Sequence, residues 1–526
     1  MADGSRSYSA AGTQENALLR WLMPSVGDLV FVAVLAVLVF TPLSVKLLND
    51  AGIGWHIRTG QEILATHSIP RVDPFSSQIQ KPWIAWEWLY DVVVGRLEAS
   101  AGLNGVIWFT AVVIAMTFAA TLRLLIGRGT DLVIAVVMTL LAISASMIHF
   151  LARPHVLSWF FALVYFWVLD SNESSVPQST RRLWLVPLMM LIWVNLHGGF
   201  LLGFVLLAAF WVGAMWSWLR LKESRIEEAL EKIAAGKRAR DLTLVGIVSV
   251  LASFVNPYGW RLHEHIYSYL TNRFLMDHIE EFQSPNLHGL AQRCFLVLLL
   301  ISVGVLIACG PRLRASHSLL VLFAVYAGLY SSRNIPVSAI LLALIIAPRI
   351  PSFGLARFTE RMNRVDSKLQ GRVWPIIATT ATLLIVLNGG RAGSRELMTA
   401  QFDPHRMPVE AVKVVERTGA RSPILSPDYW GGYLIYALYP QNKVVIDDRH
   451  DFYGEPFLRS YLTMMHVEPG WEEFLKDRSC VVLPRKAALT AMLGRTPEWK
   501  AIYSDDVATV FLRNQNQQDR DRSPGD

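Results

Sequence analysis

The chain has 526 residues, of which 53% are hydrophobic and 17% charged, with a formal net charge of +7. An average soluble domain carries roughly 25% charged residues, so this composition excludes an ordinary water-soluble globular protein. The basic surplus is confined to segments between apolar runs, which argues against a nucleic-acid face and for the positive-inside bias of a multi-pass membrane protein.

Residues 1–27 form a polar N-terminal tail without a charged, apolar, small-residue cleavage pattern. The first apolar run is therefore read as an uncleaved span. A bilayer crossing takes about 20 apolar residues. On that basis eleven spans are expected, near 28–48, 104–125, 130–150, 155–171, 183–197, 199–218, 241–257, 293–309, 316–332, 335–348 and 374–389. With a cytoplasmic N-terminus, the arginine-rich connections around Arg123, Arg181, Lys232, Arg314 and Arg361 fall inside. The expected fold is a polytopic α-helical membrane protein with a transmembrane region over 28–389 and a long outer loop at 49–103. Three cysteines give no readable metal site or disulfide framework: Cys294 and Cys309 sit roughly 22 Å apart along one helix, and Cys480 stands alone.

The first outer loop opens with "NDAGIGWHIRTGQEILATHSIPRVDPFSS". Ile53, Ile57, Gly60 and Leu64 recur at helical spacing, which predicts an amphipathic helix over 52–66 lying on the membrane, with Trp55 at the interface. Asp50 sits before that helix, as a cap for free N–H groups or as a carboxylate at the mouth of the first span. Asp73 precedes Pro74 in a turn, and Glu87 lies in an aromatic set of Trp83, Trp86, Trp88 and Tyr90. The other outer turns are "ARPH" (Arg153, His155), "NLHGG" (Asn195, His197), "NPYGWRLHEH" (Arg261, His263, His265) and "SSRNIP" (Arg333, Asn334). One arginine at a span end can simply snorkel to the interface. Polar and histidine-bearing turns on so many connections of one side predict a functional surface there.

Residues 390–514 hold no spanning run. "SPIL", "NKVVIDD", "CVVLP" and "VATVFLR" read as short strands, and "PVEAVKVVERTG" as a helix closed by Gly419. "EPFLRSYLTMMHV" and "GWEEFLKD" are further helical segments. This alternation predicts a small extracytoplasmic α/β domain, followed by a disordered tail at 515–526. Asp447, Asp448, Arg449 and Asp451 form either an internal ion-pair cluster or an acceptor-recognition site.

A first span, an outer loop with an acidic residue at its start, many further spans and an outer α/β domain together resemble the C-type glycosyltransferase superfamily. The opening loop and "DYWGGYLIYALYPQNKVVIDDRHDFYGEPFL" are also similar to uncharacterised bacterial membrane proteins related to it. The resemblance implies a bacterial inner-membrane enzyme that moves a sugar from a polyprenyl-phosphate-linked donor, within membrane lipid, to a glycan, lipid or protein acceptor. It implies that Asp50 is the catalytic base or metal ligand, with Asp73 and Glu87 as further carboxylates. Asn49 and Ala51 flank Asp50, so no paired carboxylate for a divalent cation (Mg or Mn) is adjacent. Arg153, Arg261 and Arg333 are the expected donor-phosphate ligands, since a guanidinium fork binds two oxygens. His56, Arg58, His155, His197, Asn334, Asp448 and Arg449 are the remaining substrate-binding candidates. The alternatives are a lipid-linked-saccharide flippase or transporter, and a non-catalytic envelope assembly protein.

Overall fold

The computed structural model describes residues 21–78, 81–173, 180–222, 225–309, 313–351, 362, 365–366, 369, 373–420 and 422–514. Most of the N-terminal tail, the expected disordered tail and much of the basic connection around Arg361 fall outside them.

The membrane part is built from helices α1 (Val26–Phe40), α2 (Ile53–Thr66), α3 (Trp88–Gly127), α4 (Leu132–Ser146), α5 (His155–Glu173), α6 (Leu185–Trp193) and α7 (Leu201–Arg220). It continues through α8 (Ile226–Ser253), α9 (Trp260–Thr271), α10 (Arg273–His278), α11 (Leu290–Cys309), α12 (Ala315–Tyr330), α13 (Ile335–Ile346) and α14 (Val373–Leu387). Among the described residues, five helical stretches are long and apolar enough to cross a membrane: Trp88–Gly127, Leu132–His149, Gly198–Arg220, Leu290–Ala308 and Ser332–Arg349. Val26–Phe40, Ala315–Tyr330 and Val373–Leu387 are apolar but shorter. The chain is thus a multi-pass membrane protein, and the expected count of eleven full spans is not reproduced. The expected span at 183–197 contains only the nine-residue α6, because the chain turns at Asn195 and Gly198. The expected span at 241–257 is the C-terminal half of α8, whose first half is polar.

The helix predicted at 52–66 forms as α2, but not as a helix lying on lipid. Ile53 and Ile57 are fully buried and Trp55 nearly so. Two glycine contacts explain the burial. A Cβ on Gly60 would stand 1.8 Å from the Asp91 carbonyl of α3, and one on Gly54 would stand 2.2 Å from the Gly432 carbonyl. Both faces of α2 are therefore covered by backbone at close range, one by α3 and the other by the C-terminal domain.

That domain carries α15 (Val409–Thr418), α16 (Asp428–Leu438) and α17 (Glu455–Met465), with strands β1 (Ile424–Leu425), β2 (Cys480–Pro484), β3 (Trp499–Ser504) and β4 (Ala508–Arg513). The sheet order is β1-β2-β4-β3, parallel between β1 and β2 and antiparallel elsewhere. Gly419 closes α15 in the left-handed region at φ 59°, as expected for a C-cap glycine. "NKVVIDD" does not form a full strand. Val444 makes single bridges to Ile424 on one side and to Ser76 of the first loop on the other. β3 was not expected from the sequence. Gly431 and Gly432 lie inside α16. They let it approach the Ile446 and Ala51 carbonyls, which a Cβ would meet at 2.3 Å in each case.

Candidate active site

The outer turns converge on one cavity of about 970 Å³ between the span ends and the C-terminal domain. Its wall takes Asp50, His56 and Glu87 from the first loop, and Arg153 and His155 from "ARPH". His197 comes from "NLHGG", Arg333 from "SSRNIP", and Asp448 and Arg449 from the C-terminal domain. Nine of the thirteen residues expected at a site therefore share one surface. Most of them lie at or near helix ends on one side of the bundle, and Asp448 and Arg449 are brought by the C-terminal domain packed over those ends.

Arg153 is the link between the two parts of the chain. Its Nη1 lies 3.2 Å from Asp50 Oδ2 and its Nη2 donates to Asp448 Oδ2 at 2.5 Å. Asp50 Oδ1 also accepts from Gly52 N at 2.8 Å, and Trp55 Nε1 donates to Asp448 Oδ1 at 3.0 Å. The three charged groups crowd over Gly52, where a Cβ would meet Asp448 Oδ2 at 2.4 Å and Arg153 Nη2 at 2.8 Å. Burial pushes the Asp448 carboxyl up to about 7 against the Arg153 cation, with the Asp50 charge adding to the rise.

Beside this bridge stands a second group of side chains. His56 Nδ1 lies 2.5 Å from Asp91 Oδ1 of α3, and the two oxygens of Glu87 face His56 Nε2 and His197 Nε2, each at 3.7 Å. Arg333 Nη2 is 3.2 Å from His197 Nε2, while its Nη1 donates to Glu281 at 2.6 Å. Burial opposes charge on Glu281, yet the Arg333 and Arg153 cations hold its carboxyl down to about 2. His155 Nε2 meets the His149 carbonyl at 2.9 Å. The far wall carries an Asp428–His450 pair at 2.7 Å, with Tyr461 donating to Asp428 at 3.0 Å, and a His265–Asp451 pair at 2.9 Å.

Arg449 reaches the wall only through its buried ion pairs. Its Nε and Nη2 donate to Asp447 at 2.8 and 2.7 Å, and its Nη1 to Asp73 at 2.8 Å. Trp83 lies under the guanidinium at 4.7 Å. Asp73 also accepts from the N–H groups of Phe75 and Ser76 and is 3% exposed, so both of its oxygens are engaged away from the cavity. Three other expected residues are not brought to the site. Arg58 donates to the Tyr436 carbonyl, Arg261 is exposed on α9, and Asn334 donates to the Ala327 carbonyl at 3.3 Å. Glu281, His149, Asp428 and His450 were not singled out beforehand. The doubled acid of "IEEFQ" is the one sequence signal that could have drawn attention to Glu281.

A divalent cation does not fit between Asp50 and Asp448, because the Arg153 guanidinium already bridges them. At the opposite helix ends, Asp170, Glu173 and His317 bring one ligand atom each within 4.8 Å of one another. Arg128 lies 2.9 Å from Asp170, and Arg314 3.5 Å from Asp170 and 3.7 Å from Glu173, so the same oxygens are neutralised by guanidiniums.

No family model and no curated protein sequence matches the chain. Solved structures do. The archaeal oligosaccharyltransferase AglB from Archaeoglobus fulgidus, in complex with an inhibitory peptide and a dolichol-phosphate, superposes with a TM-score of 0.54 at 9% identity. That match covers 93% of this chain and 74% of the other. The Archaeoglobus fulgidus oligosaccharyltransferase in complex with Zn and sulfate gives 0.51 at 11% identity, over 93% and 73%. ArnT from Cupriavidus metallidurans bound to undecaprenyl phosphate gives 0.47 at 14% identity, over 93% and 98%. The chain shares its overall fold with these two Archaeoglobus oligosaccharyltransferase structures.

Proposed function

From this shared fold we propose that the chain is a membrane glycosyltransferase that moves a sugar from a polyprenyl-phosphate-linked donor to an acceptor hydroxyl. The observation that carries the reading is the Arg153 bridge. It sets a carboxylate of the first loop and one of the C-terminal domain side by side in a cavity that also presents Arg333. Asp50 takes the proton of the acceptor hydroxyl as its oxygen attacks the anomeric carbon. The bond from that carbon to the phosphate oxygen breaks, and its electron pair stays on the phosphate. Arg333, only partly engaged by Glu281 and 27% exposed, receives the phosphate charge. Arg153 orients Asp50, while Asp73 and Asp447 hold Arg449 as part of the wall. No step is routed through a metal ion.

The reading places the cavity on the extracytoplasmic side of a bacterial inner membrane, with the N-terminus cytoplasmic and a glycan, lipid or protein as acceptor. The test uses purified protein in lipid nanodiscs with undecaprenyl-phosphate-linked glucose, mannose and galactose and an envelope extract as acceptor. Transfer is expected from wild type and is lost in Asp50→Asn with the fold intact. Full transfer by that variant excludes Asp50 as the base. Arg333→Gln is expected to weaken binding of undecaprenyl phosphate about 10- to 100-fold, the effect of losing a charged hydrogen bond. Undecaprenyl-phosphate movement across vesicles without sugar transfer would instead favour a flippase.

A further inference from the structure

Among the described residues, the buried carboxyl of Glu87 makes no side-chain hydrogen bond, and its nearest ionisable neighbours are two imidazoles. Its side chain is 9% exposed, and its oxygens face two imidazole nitrogens at 3.7 Å. A buried carboxylate left in this way is costly, whereas a buried carboxylic acid is not. His56 does not supply the missing cation. His56 Nδ1 lies 2.5 Å from Asp91 Oδ1, so that edge of the ring is engaged by α3. Burial, with the Arg153 and Arg449 cations, holds His56 well below its ordinary value, so the ring is neutral. Its Nε2 edge faces Glu87 Oε2 at 3.7 Å, beyond hydrogen-bond reach. No donor within hydrogen-bond reach satisfies a carboxylate here, so burial favours the protonated acid.

The other side of Glu87 leads to the phosphate position. Glu87 Oε1 faces His197 Nε2, and the same nitrogen stands 3.2 Å from Arg333 Nη2. Resting on the transferase reading above, we propose that Glu87 is the general acid of the reaction and delivers its proton to the leaving phosphate oxygen. The acceptor oxygen bonds to the anomeric carbon, the carbon–phosphate-oxygen bond breaks, and its electron pair takes up the Glu87 proton. The acceptor proton rests on Asp50, and water in the cavity returns both carboxyls to their starting states. Burial pushes the Glu87 carboxyl up to about 8, against the Arg333 and Arg153 cations, so the acid form is the resting form at neutral pH. The titratable and charged groups facing it are His56, Tyr90, Asp91, Arg153, His197 and Arg333, with Glu281 and Asp451 behind them.

The test has two arms. Infrared difference spectra of wild type against Glu87→Gln in nanodiscs are expected to show a protonated-carboxyl band at pH 7 that the variant lacks and that titrates near pH 8. An unchanged band overturns the proposal whatever the activity. With undecaprenyl-phosphate-linked sugars, Glu87→Gln is expected to lower kcat about 10²- to 10⁴-fold with KM little changed, and to abolish the alkaline limb of the wild-type pH profile. Wild-type kcat and an unaltered profile in the variant overturn the acid role. If wild type transfers no sugar, the transferase reading itself fails, and the infrared arm still reports on the proton.

Discussion

The Arg153–Asp448 pair ties the span ends to the C-terminal domain, and its strength can be worked out and measured. Unit charges about 4 Å apart at an effective dielectric of about 20 attract by ~4 kcal/mol. The pair here is closer, but its side chains are 19% and 16% exposed. Asp448, held up at about 7, carries only part of a charge at neutral pH. Halving for that leaves a coupling of about 2 kcal/mol. Arg153→Gln, Asp448→Asn and the double variant close a thermodynamic cycle that isolates this term. Denaturant unfolding in nanodiscs, followed by tryptophan fluorescence, supplies the free energies, and Trp55 is a suitable reporter because it donates to Asp448. Arg153→Gln is expected to cost more than Asp448→Asn, since it strands Asp50 as well. The coupling should grow above pH 7 and fade below it, as Asp448 gains or loses its charge. A coupling below about 0.5 kcal/mol at pH 8 would refute the bridge as a real connection between the two parts.

Two further outcomes follow from the same geometry. Gly432→Ala places a Cβ 2.3 Å from the Ala51 carbonyl, so it should destabilise by about 1–3 kcal/mol, the usual range for overpacking. It should also make the C-terminal domain more protease-sensitive; equal cleavage rates for variant and wild type would contradict the packing. The Asp428–His450 pair has a pH signature. Burial opposes charge on His450, but the Asp428 hydrogen bond and charge raise it above its ordinary value of 6.5. Burial likewise opposes charge on Asp428, but His450 and Tyr461 hold it below 3.8. The pair's stabilisation is thus present in full between those ordinary values. It is lost as pH rises through the raised His450 value, and again as pH falls through the lowered Asp428 value. Asp428→Asn should flatten the stability slope above pH 6.5; a slope identical to wild type would show that the pair contributes nothing.

What could be read from residues alone was local or compositional. The helix at 53–66, the strands at 480–484 and 508–513, and the Gly419 cap all follow from periodicity and backbone preference. The polar outer turns were legible as a set because helix ends on one side of a membrane must lie near one another. Pairings across long sequence separations were not legible. Trp55 suits an interface by residue type, yet its partner is Asp448, 393 positions away. Nothing in an amphipathic pattern tells whether lipid or protein covers a helix, and for α2 the answer lay in Gly54 and Gly60. Asp73 read equally well as a catalytic acid or a turn aspartate until Arg449 was placed beside it at 2.8 Å.

The bridges from Val444 to Ile424 and to Ser76 have a consequence for how the protein is made. The backbone groups of Val444 bond to Phe75 O and Ser77 N at 3.0 and 2.9 Å, so the first loop finishes the edge of a sheet encoded near the other end of the chain. At roughly 5–20 residues per second, the ribosome needs about 20–70 s to travel from one to the other. During that interval the loop that carries Asp50 and Glu87 is already beyond the first span while its sheet partner does not exist. The cavity is therefore assembled only after the Val444 segment has been made, and a product stalled before it cannot present the site.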